Sequence, residues 1–222
     1  MTASLEKIIL VTFLSFKLSF SSLPIDSTLK IFKKKTEGET VITLSIEGTI
    51  KGVNAEKFFR MLNDTECAKK AKPAPKEFKI LEKINDNVDF VYIHMPLPFP
   101  MSDRDWVQQR LYLNNKDHAK LVKQLGLYDK KHKYYVLAVK SVERDDCPLV
   151  DKLIRAEIKM NYWLIEEIPG EKDSFTFKTK VCQALNGKVP LFFINDLGPK
   201  MSHKMMGEMM DNYKRIFDEQ KK

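Results

Sequence analysis

Apolar and polar residues alternate along much of this chain, with the period of two that turns every second side chain to the same face of a strand. Residues 27–37 and 39–51 alternate on either side of Gly38 and predict a β-hairpin. The same alternation predicts six further strands, at residues 78–83, 88–95, 106–113, 134–142, 153–166 and 174–183. Together they predict a long, mostly antiparallel sheet, which is strongly curved if it wraps around something.

Helical spacing appears between the strands. Asn54 is placed to cap a helix that ends before residues 71–76, where prolines recur. Residues 117–127 carry apolar residues at helical spacing and predict a shorter helix that covers a loop.

The last segment, after Gly187 and Pro190, is predicted to be helical with a break or kink near Gly198-Pro199. Its apolar residues form one broad face, rich in methionine: Met201, Met205, Met206, Met209, Met210, Tyr213, Ile216 and Phe217. Core packing is the usual role of such a face. Above a curved sheet it can instead close over an apolar ligand, because thioether side chains fit surfaces of changing shape.

Residues 1–24 form an apolar N-terminal segment that we separate from a single domain at residues 25–222, which no Pro/Gly/Ser-rich linker divides. Residues 8–16 resemble the apolar region of a secretory signal and are too few to span a bilayer. Lys17 interrupts the run and no small-residue cleavage site follows, so a first helix packed on the domain is an equal alternative. The first interpretation places the protein in the secretory pathway, and the second in the cytoplasm.

The charge balance is basic, with 38 Lys+Arg against 30 Asp+Glu and a formal net charge of +8. Lysines far outnumber arginines and no arginine-rich stretch interleaved with aromatic residues suggests base stacking, so we do not expect a nucleic-acid partner. A basic surface suits transient contact with an anionic membrane, although lysines retained for solubility account for the charge equally well. Cys67, Cys147 and Cys182 have no metal-ligand spacing, and their odd number argues against a disulfide framework. A reducing, cytoplasmic setting without a bound metal is favoured.

Catalytic motifs are missing from the sequence. It contains no Gly-x-Ser-x-Gly elbow, no His-Glu-x-x-His pair, no Cys/His ligand cluster and no phosphate loop. We therefore expect a protein that is not an enzyme and that uses no cofactor.

One segment carries a family resemblance. Residues 98–110 read Pro-Phe-Pro-Met-Ser-Asp-Arg-Asp-Trp-Val-Gln-Gln-Arg, which resembles the signature of the START (steroidogenic-acute-regulatory-related lipid transfer) family. Two further blocks follow in the family's order, Leu153-Ile154-Arg155-Ala156 and Gly187-Lys188-Val189-Pro190, with Asn195 shortly after. The resemblance covers residues 27–219 and is greatest to the phosphatidylcholine transfer protein branch.

The resemblance implies an α+β helix-grip fold (START/Bet v 1-like), in which a curved antiparallel sheet wraps around a long C-terminal helix and encloses an apolar cavity. It also implies a monomer that binds one lipid and transfers it between membranes without catalysis. A phospholipid such as phosphatidylcholine is the expected ligand, and the bound lipid is the only ligand implied. The sequence departs from the family at residues 68–72, where a Trp-Asp pair is absent, and at residues 114–132, where the insertion is longer.

Strand alternation places Trp106, Gln108 and Arg110 on one face, and the resemblance points Arg110 inward. Its planar guanidinium suits a lipid phosphate, since a buried arginine is costly unless it is paired. An internal ion pair is an equal alternative, with Glu157 and Glu166 as possible partners.

The other expected lipid-binding residues lie on several segments. On the strand next to Arg110, Tyr92 and His94 share a face, and His94 lies near the position where some family members carry an acidic partner for the arginine. A choline head needs a cage of aromatic rings, for which the chain offers Tyr92, Trp106, Tyr134, Tyr162 and Trp163. Arg155 is a candidate lipid contact, or it locks the strands in a charge network with Arg104 and Asp105. From the last helix we expect Met201, Met205 and Met209 to contact lipid, and Phe99, Met101 and Phe193 to form the gate that touches the membrane.

Two rival functions remain open. A membrane-associated lipid sensor, or a sterol- or ceramide-binding protein without transfer activity, fits the same features. An enzyme that uses a helix-grip cavity is the third class, and the missing motifs count against it.

Overall fold

The computed structural model describes residues 21–26, 29–34, 41–72, 74–97, 101–114, 118, 120, 133–187, 189 and 198–217. The predictions for residues 1–20, for most of the helix at 117–127, for residues 190–197, and for Phe99 and Phe193 lie outside these ranges.

The described residues contain ten strands that form one sheet, which confirms the predicted sheet architecture. They are β1 Ser21–Asp26, β2 Leu29–Lys34, β3 Val41–Lys51, β4 Glu77–Asn85, β5 Val88–Met95, β6 Arg104–Asn114, β7 Tyr134–Ser141, β8 Ile154–Arg155, β9 Glu157–Glu167 and β10 Ser174–Ala184. Their order across the sheet is β1-β2-β3-β10-β9-β7-β6-β5-β4, and β8 lies beside β6. All pairs are antiparallel except β6–β8.

The strand bounds agree with the alternation pattern in most places. The predicted hairpin is confirmed as β2 and β3, which pair antiparallel. The single strand expected at residues 153–166 is wrong, because the backbone N–H of Ala156 donates to Asp105 O at 2.9 Å and ends a short parallel pairing with β6 before β9 begins. Strand β1 runs across residue 24, where we placed the end of the N-terminal segment, and pairs with β2.

The curvature of the sheet has a local cause. The β9–β10 pairing shifts register between Cys182 and Gln183, and β4–β5 shifts twice, between Ile80 and Glu82 and between Lys83 and Asn85. Such bulges bend a strand and increase its twist, so the long strands curve towards one face.

Two short helices replace the one helix predicted after Asn54. The Asn54 side chain caps α1, Ala55–Asn63, by accepting from Lys57 N at 3.1 Å. Asp64 ends α1 and caps α2, Thr65–Lys70, by accepting from Glu66 N at 2.7 Å. An extended backbone at Asp64 cannot continue a helix, so the chain turns there.

The C-terminal helix α3 spans Gly198–Phe217. Pro199 lies in its first turn, where a missing N–H costs no intrahelical hydrogen bond. Gly198, at the expected break, is the first described residue of this helix, and the prediction for the segment before it lies outside the described ranges.

The two faces of the sheet bury different clusters. We call the face that packs against α1 and α3 the inner face, and the opposite one the outer face. The inner cluster unites Phe58 of α1 and Met206 and Tyr213 of α3 with side chains of β2, β3, β6, β7, β9 and β10. A separate outer cluster contains Val88, Leu111, Leu113, Tyr134, Val136 and Leu164. Each large apolar side chain buried in this way contributes about 1.5–3 kcal/mol.

The second half of α3 is tied to α1 and α2 by polar contacts. The Tyr213 hydroxyl accepts from Asn54 N at 3.0 Å, and the Asn212 amide accepts from Lys72 N at 3.0 Å and donates to Lys72 O at 3.3 Å. Arg215 Nη1 donates to Lys70 O at 2.8 Å. These contacts hold the C-terminal end of α3 against the rest of the domain.

Candidate functional site

Strand β6 supplies the predicted central residues of the site. Trp106, Gln108 and Arg110 are buried and alternate onto the inner face. Trp106 packs in the inner cluster with Leu137 and Trp163. The face that strand alternation assigned to these side chains is the one that α3 covers.

Arg110 is engaged in a buried ion pair with Asp89 of β5. Its Nε and Nη2 donate to the two carboxylate oxygens at 2.8 and 2.7 Å, and the two side chains are only 4% and 8% exposed. Nη1 donates to Asn63 O at 3.1 Å. The acidic partner is therefore Asp89 and not Glu157, Glu166 or a group at His94, because the antiparallel register of β5 and β6 sets Asp89 directly opposite Arg110.

Tyr112 completes this cluster. Its hydroxyl donates to Asp89 at 3.0 Å, and burial raises the pKa of Tyr112, so the group stays a neutral donor. Asp89 thus receives hydrogen bonds from two side chains, and every part of the Arg110 fork has a protein acceptor. The carboxylate could have been noticed in the sequence as the one acidic residue among positions 89, 91, 93 and 95 of an apolar strand.

Other polar atoms on the inner face are left without partners. Trp106 Nε1, Asn161 Oδ1 and Thr179 Oγ1 are buried and have no hydrogen-bond partner among the described residues. Native proteins satisfy nearly all buried polar groups, because an unsatisfied one costs about 1–3 kcal/mol. A bound polar group is one way to satisfy them. Sequence reasoning missed Asn161 and Thr179, although each is a polar residue two positions from a large apolar inward residue of its own strand, Trp163 and Phe177 respectively.

Aromatic packing surrounds this region. Trp163 stacks on Phe177 at 5.6 Å between ring centroids and meets the edge of Phe58 at 5.9 Å. Met209 of α3 is half-buried against the same cluster. Met201 and Met205 also lie in α3, but their side chains are outside the part of the chain that the structure describes.

The predicted aromatic cage does not converge. Trp106 and Trp163 lie on the inner face, whereas Tyr92, Tyr134 and Tyr162 lie on the outer face. Tyr92 packs against Val107 and Cys147, where burial and the nearby Asp105 raise its pKa to about 12. Strand register places the three tyrosines there, because Tyr92, Tyr134 and Tyr162 pair beside outer-face residues of their neighbouring strands, whereas even-numbered residues of β6 from Trp106 to Arg110 point towards α3.

On the outer face, the charged candidate residues join neighbouring segments of the sheet through ion pairs. Arg155 donates to both oxygens of Asp105, at 3.0 and 2.9 Å, and to Pro148 O at 3.1 Å. His94 Nε2 lies 2.8 Å from Asp103 Oδ2, which Lys76 also contacts at 2.6 Å. The structure therefore favours the charge-network alternative for Arg155, and both His94 and Arg155 lie across the sheet from Arg110. Met101 is half-buried in the connection between β5 and β6.

Arg104 is fully buried and holds the turn after β10. Its Nε donates to Leu185 O at 2.6 Å and its Nη2 to Asn186 O at 3.0 Å. Gly187 follows with φ +64°, and a Cβ there would lie 2.6 Å from Ile154 Cδ1. The motif around Gly187 thus has a packing role, in which a left-handed backbone and a close approach to Ile154 both favour glycine.

In the described ranges, no three or more His, Cys, Asp or Glu side chains are grouped as a metal site. The helices described there are too short or too polar to cross a bilayer.

Comparison with known proteins shows a shared fold. No protein-family model and no curated protein matches the sequence. Among solved structures, human STARD10 is similar with a TM-score of 0.74 and 18% identity, over 92% of this chain and 77% of that chain. Human StAR-related lipid transfer protein 5 is similar with a TM-score of 0.74 and 14% identity, over 97% and 98% of the two chains. The human StarD13 lipid transfer and protein localization domain has a TM-score of 0.67 and 14% identity, over 96% and 95%. At these identities the likeness establishes the helix-grip fold.

Proposed function

We propose, on the premise of this shared fold, that the chain is a START-type lipid carrier that holds one lipid between the inner face and α3 and moves it between membranes without catalysis. Two of the similar structures are described as lipid transfer proteins or domains. The signature at residues 98–110 supports the same assignment.

One observation carries the proposal. Trp106 Nε1, Asn161 Oδ1 and Thr179 Oγ1 are buried without a partner in the described part of the chain, and they lie on an inner face whose other described side chains are mostly apolar. A lipid matches both properties, since its polar end supplies hydrogen bonds and its body contacts the apolar side chains. Each lipid methylene that is removed from water contributes about 0.8 kcal/mol. A lipid therefore leaves a bilayer readily only for a protein site that is equally apolar.

Phosphatidylcholine is the first lipid to test. The resemblance to the phosphatidylcholine transfer protein branch is the reason it is expected, and its phosphate suits the guanidinium of Arg110. The phosphate has to compete with Asp89 for the guanidinium, however, because both carboxylate oxygens already occupy the fork. A sterol or ceramide is therefore the second candidate, and the compensated Arg110–Asp89 pair is the observation that favours it.

The helix α3 is the lid in this proposal. Its C-terminal half is held by Asn212, Tyr213 and Arg215, so opening moves the half that begins at Gly198. Exposed lysines of the basic surface give the carrier transient contact with an anionic membrane. We propose a cytoplasmic monomer that needs no cofactor beyond the lipid.

Transfer of fluorescent phosphatidylcholine from donor to acceptor vesicles tests the function. Wild type should accelerate transfer, and Met209→Gln should slow it by placing an amide in the half-buried contact of α3. Lys214→Gln, on the exposed side of the same helix, is the matched control and should behave as wild type. Lipid retention without transfer would favour a sensor, and a covalently altered lipid would favour an enzyme.

A further inference from the structure

Two of the unpartnered polar atoms lie close together. Thr179 of β10 pairs with Trp163, and the neighbouring inward residue of β10, Val181, pairs with Asn161 of β9. Thr179 and Asn161 are thus diagonal neighbours on adjoining strands, at a spacing of about 7 Å. Thr179 is 1% exposed, and its hydroxyl and Asn161 Oδ1 both lack a partner among the described residues. They form one polar spot in apolar surroundings, which we call the Asn161–Thr179 pair.

Among the side chains that the structure describes on the inner face, the arginines near this pair are compensated. Val139 stands between Asn161 and Arg110 in the same cross-strand row, and Arg110 is neutralised by Asp89. The other arginine on the inner face of β6, Arg104, donates to backbone carbonyls at the end of β10. An anionic head group placed at the pair would lose its hydration without gaining a cation, which is the costly arrangement for a buried charge.

We infer that the Asn161–Thr179 pair binds the uncharged hydroxyl group of a lipid. The lipid O–H donates to Asn161 Oδ1, and the Thr179 hydroxyl donates to the lipid oxygen, so that both orphaned atoms gain a partner. The inference rests on the proposed lipid-carrier function and names the ligand class of the same site. Sterols, ceramides and diacylglycerols share this chemistry. Trp106 lies two strands away, across β7. Its Nε1–H can donate to a second acceptor on the lipid.

The test uses the full chain and native mass spectrometry with cholesterol, ceramide, diacylglycerol and phosphatidylcholine, each offered in vesicles. Thr179→Val and Asn161→Leu remove the polar atoms at nearly constant volume. Thr176→Val is the matched control, since Thr176 lies on the same strand and points to the outer face. Each site variant should reduce binding of the preferred hydroxyl lipid about tenfold. If cholesterol is the preferred lipid, cholesteryl methyl ether tests the hydroxyl directly, because it lacks the O–H that donates to Asn161. Its binding to wild type should be as weak as the binding of cholesterol to Asn161→Leu.

Thermal unfolding of lipid-free protein separates ligand binding from a structural role. If the Thr179 hydroxyl has no protein partner, Thr179→Val should raise the Tm of the lipid-free protein by about 3 °C. A lowered Tm would show that the hydroxyl is used within the fold and would overturn the inference.

The outcomes distinguish this inference from the proposed function. Binding of phosphatidylcholine that ignores both site variants, with no hydroxyl lipid bound, sinks the inference and leaves the carrier intact. Wild type that binds none of the lipids overturns both.

Discussion

Asp89 and Arg110 face each other on adjacent strands, and the guanidinium of Arg110 contacts both carboxylate oxygens of Asp89 at 2.7–2.8 Å. Their burial makes the pair costly to break, because either partner alone is left as an uncompensated charge.

Asp89→Asn and Arg110→Met should each lower the free energy of unfolding by about 3 kcal/mol. The double variant should cost clearly less than the sum, because it leaves no unpaired charge. Urea denaturation of the four proteins measures the coupling. Lys83→Gln, which breaks the exposed pair with Asp86, should change stability by about 1 kcal/mol or less. Additive losses in the double variant would show that the two side chains do not act as a pair.

Arg155→Ala should lower stability by about 2 kcal/mol and leave lipid binding by the folded protein unchanged, since Arg155 grips Asp105 on the outer face. Chemical denaturation and native mass spectrometry of the same preparation measure the two effects. Loss of the lipid adduct at unchanged stability would restore Arg155 as a lipid contact.

Asn212→Ala should loosen the anchored half of α3, because the Asn212 amide both accepts from and donates to the backbone of Lys72. We expect a loss of about 1–2 kcal/mol and faster hydrogen exchange in α3 than in the sheet. Lys214→Ala, exposed on the same helix, is the control. Equal acceleration of exchange in α3 and in β9 would contradict a local anchor.

Asp103 should make stability depend on pH in acid. Hydrogen bonds from Lys76 and then His94 lower the pKa of Asp103 to about 2. Because the pKa of Asp103 is lower in the folded state than in the unfolded chain, its ionised carboxylate stabilises the fold above about pH 4. This contribution is lost as the pH falls to about 2. Unfolding of wild type and Asp103→Asn between pH 5 and pH 2 should show a difference that shrinks with acidification. A difference that stays constant over this range would contradict the assignment.

Two glycines should respond in opposite directions to alanine. Gly187→Ala should cost about 1–2 kcal/mol, because Gly187 has φ +64° and its new Cβ would press on Ile154. Gly207→Ala should stabilise α3 by about 0.5–1 kcal/mol, since nothing lies within 4 Å of a Cβ there and alanine favours the helix. Thermal unfolding of both variants measures the two changes in stability. A stabilising Gly187→Ala would refute the close approach to Ile154.

The local sequence pattern was enough to predict most of the strands, their mostly antiparallel arrangement and the helical C-terminus, but not β1 or the separate, parallel β8. This was possible because the pleat of a strand turns successive side chains to opposite faces. The resulting alternation can be recognised in the sequence without knowing what the strand packs against. The sequence also placed Trp106, Gln108 and Arg110 on one face, for the same reason.

Which face of each strand points towards α3 became known from the three-dimensional packing. Both faces bury apolar side chains, Ile165 on the inner face and Leu164 on the outer, so composition cannot distinguish inside from outside. For that reason Tyr92, Tyr134 and Tyr162 were assigned to a cage that the strand register does not form. Register also selected Asp89 as the partner of Arg110 and brought Asn161 beside Thr179. Contacts between residues far apart in the chain depend on this long-range alignment, and no local period encodes it.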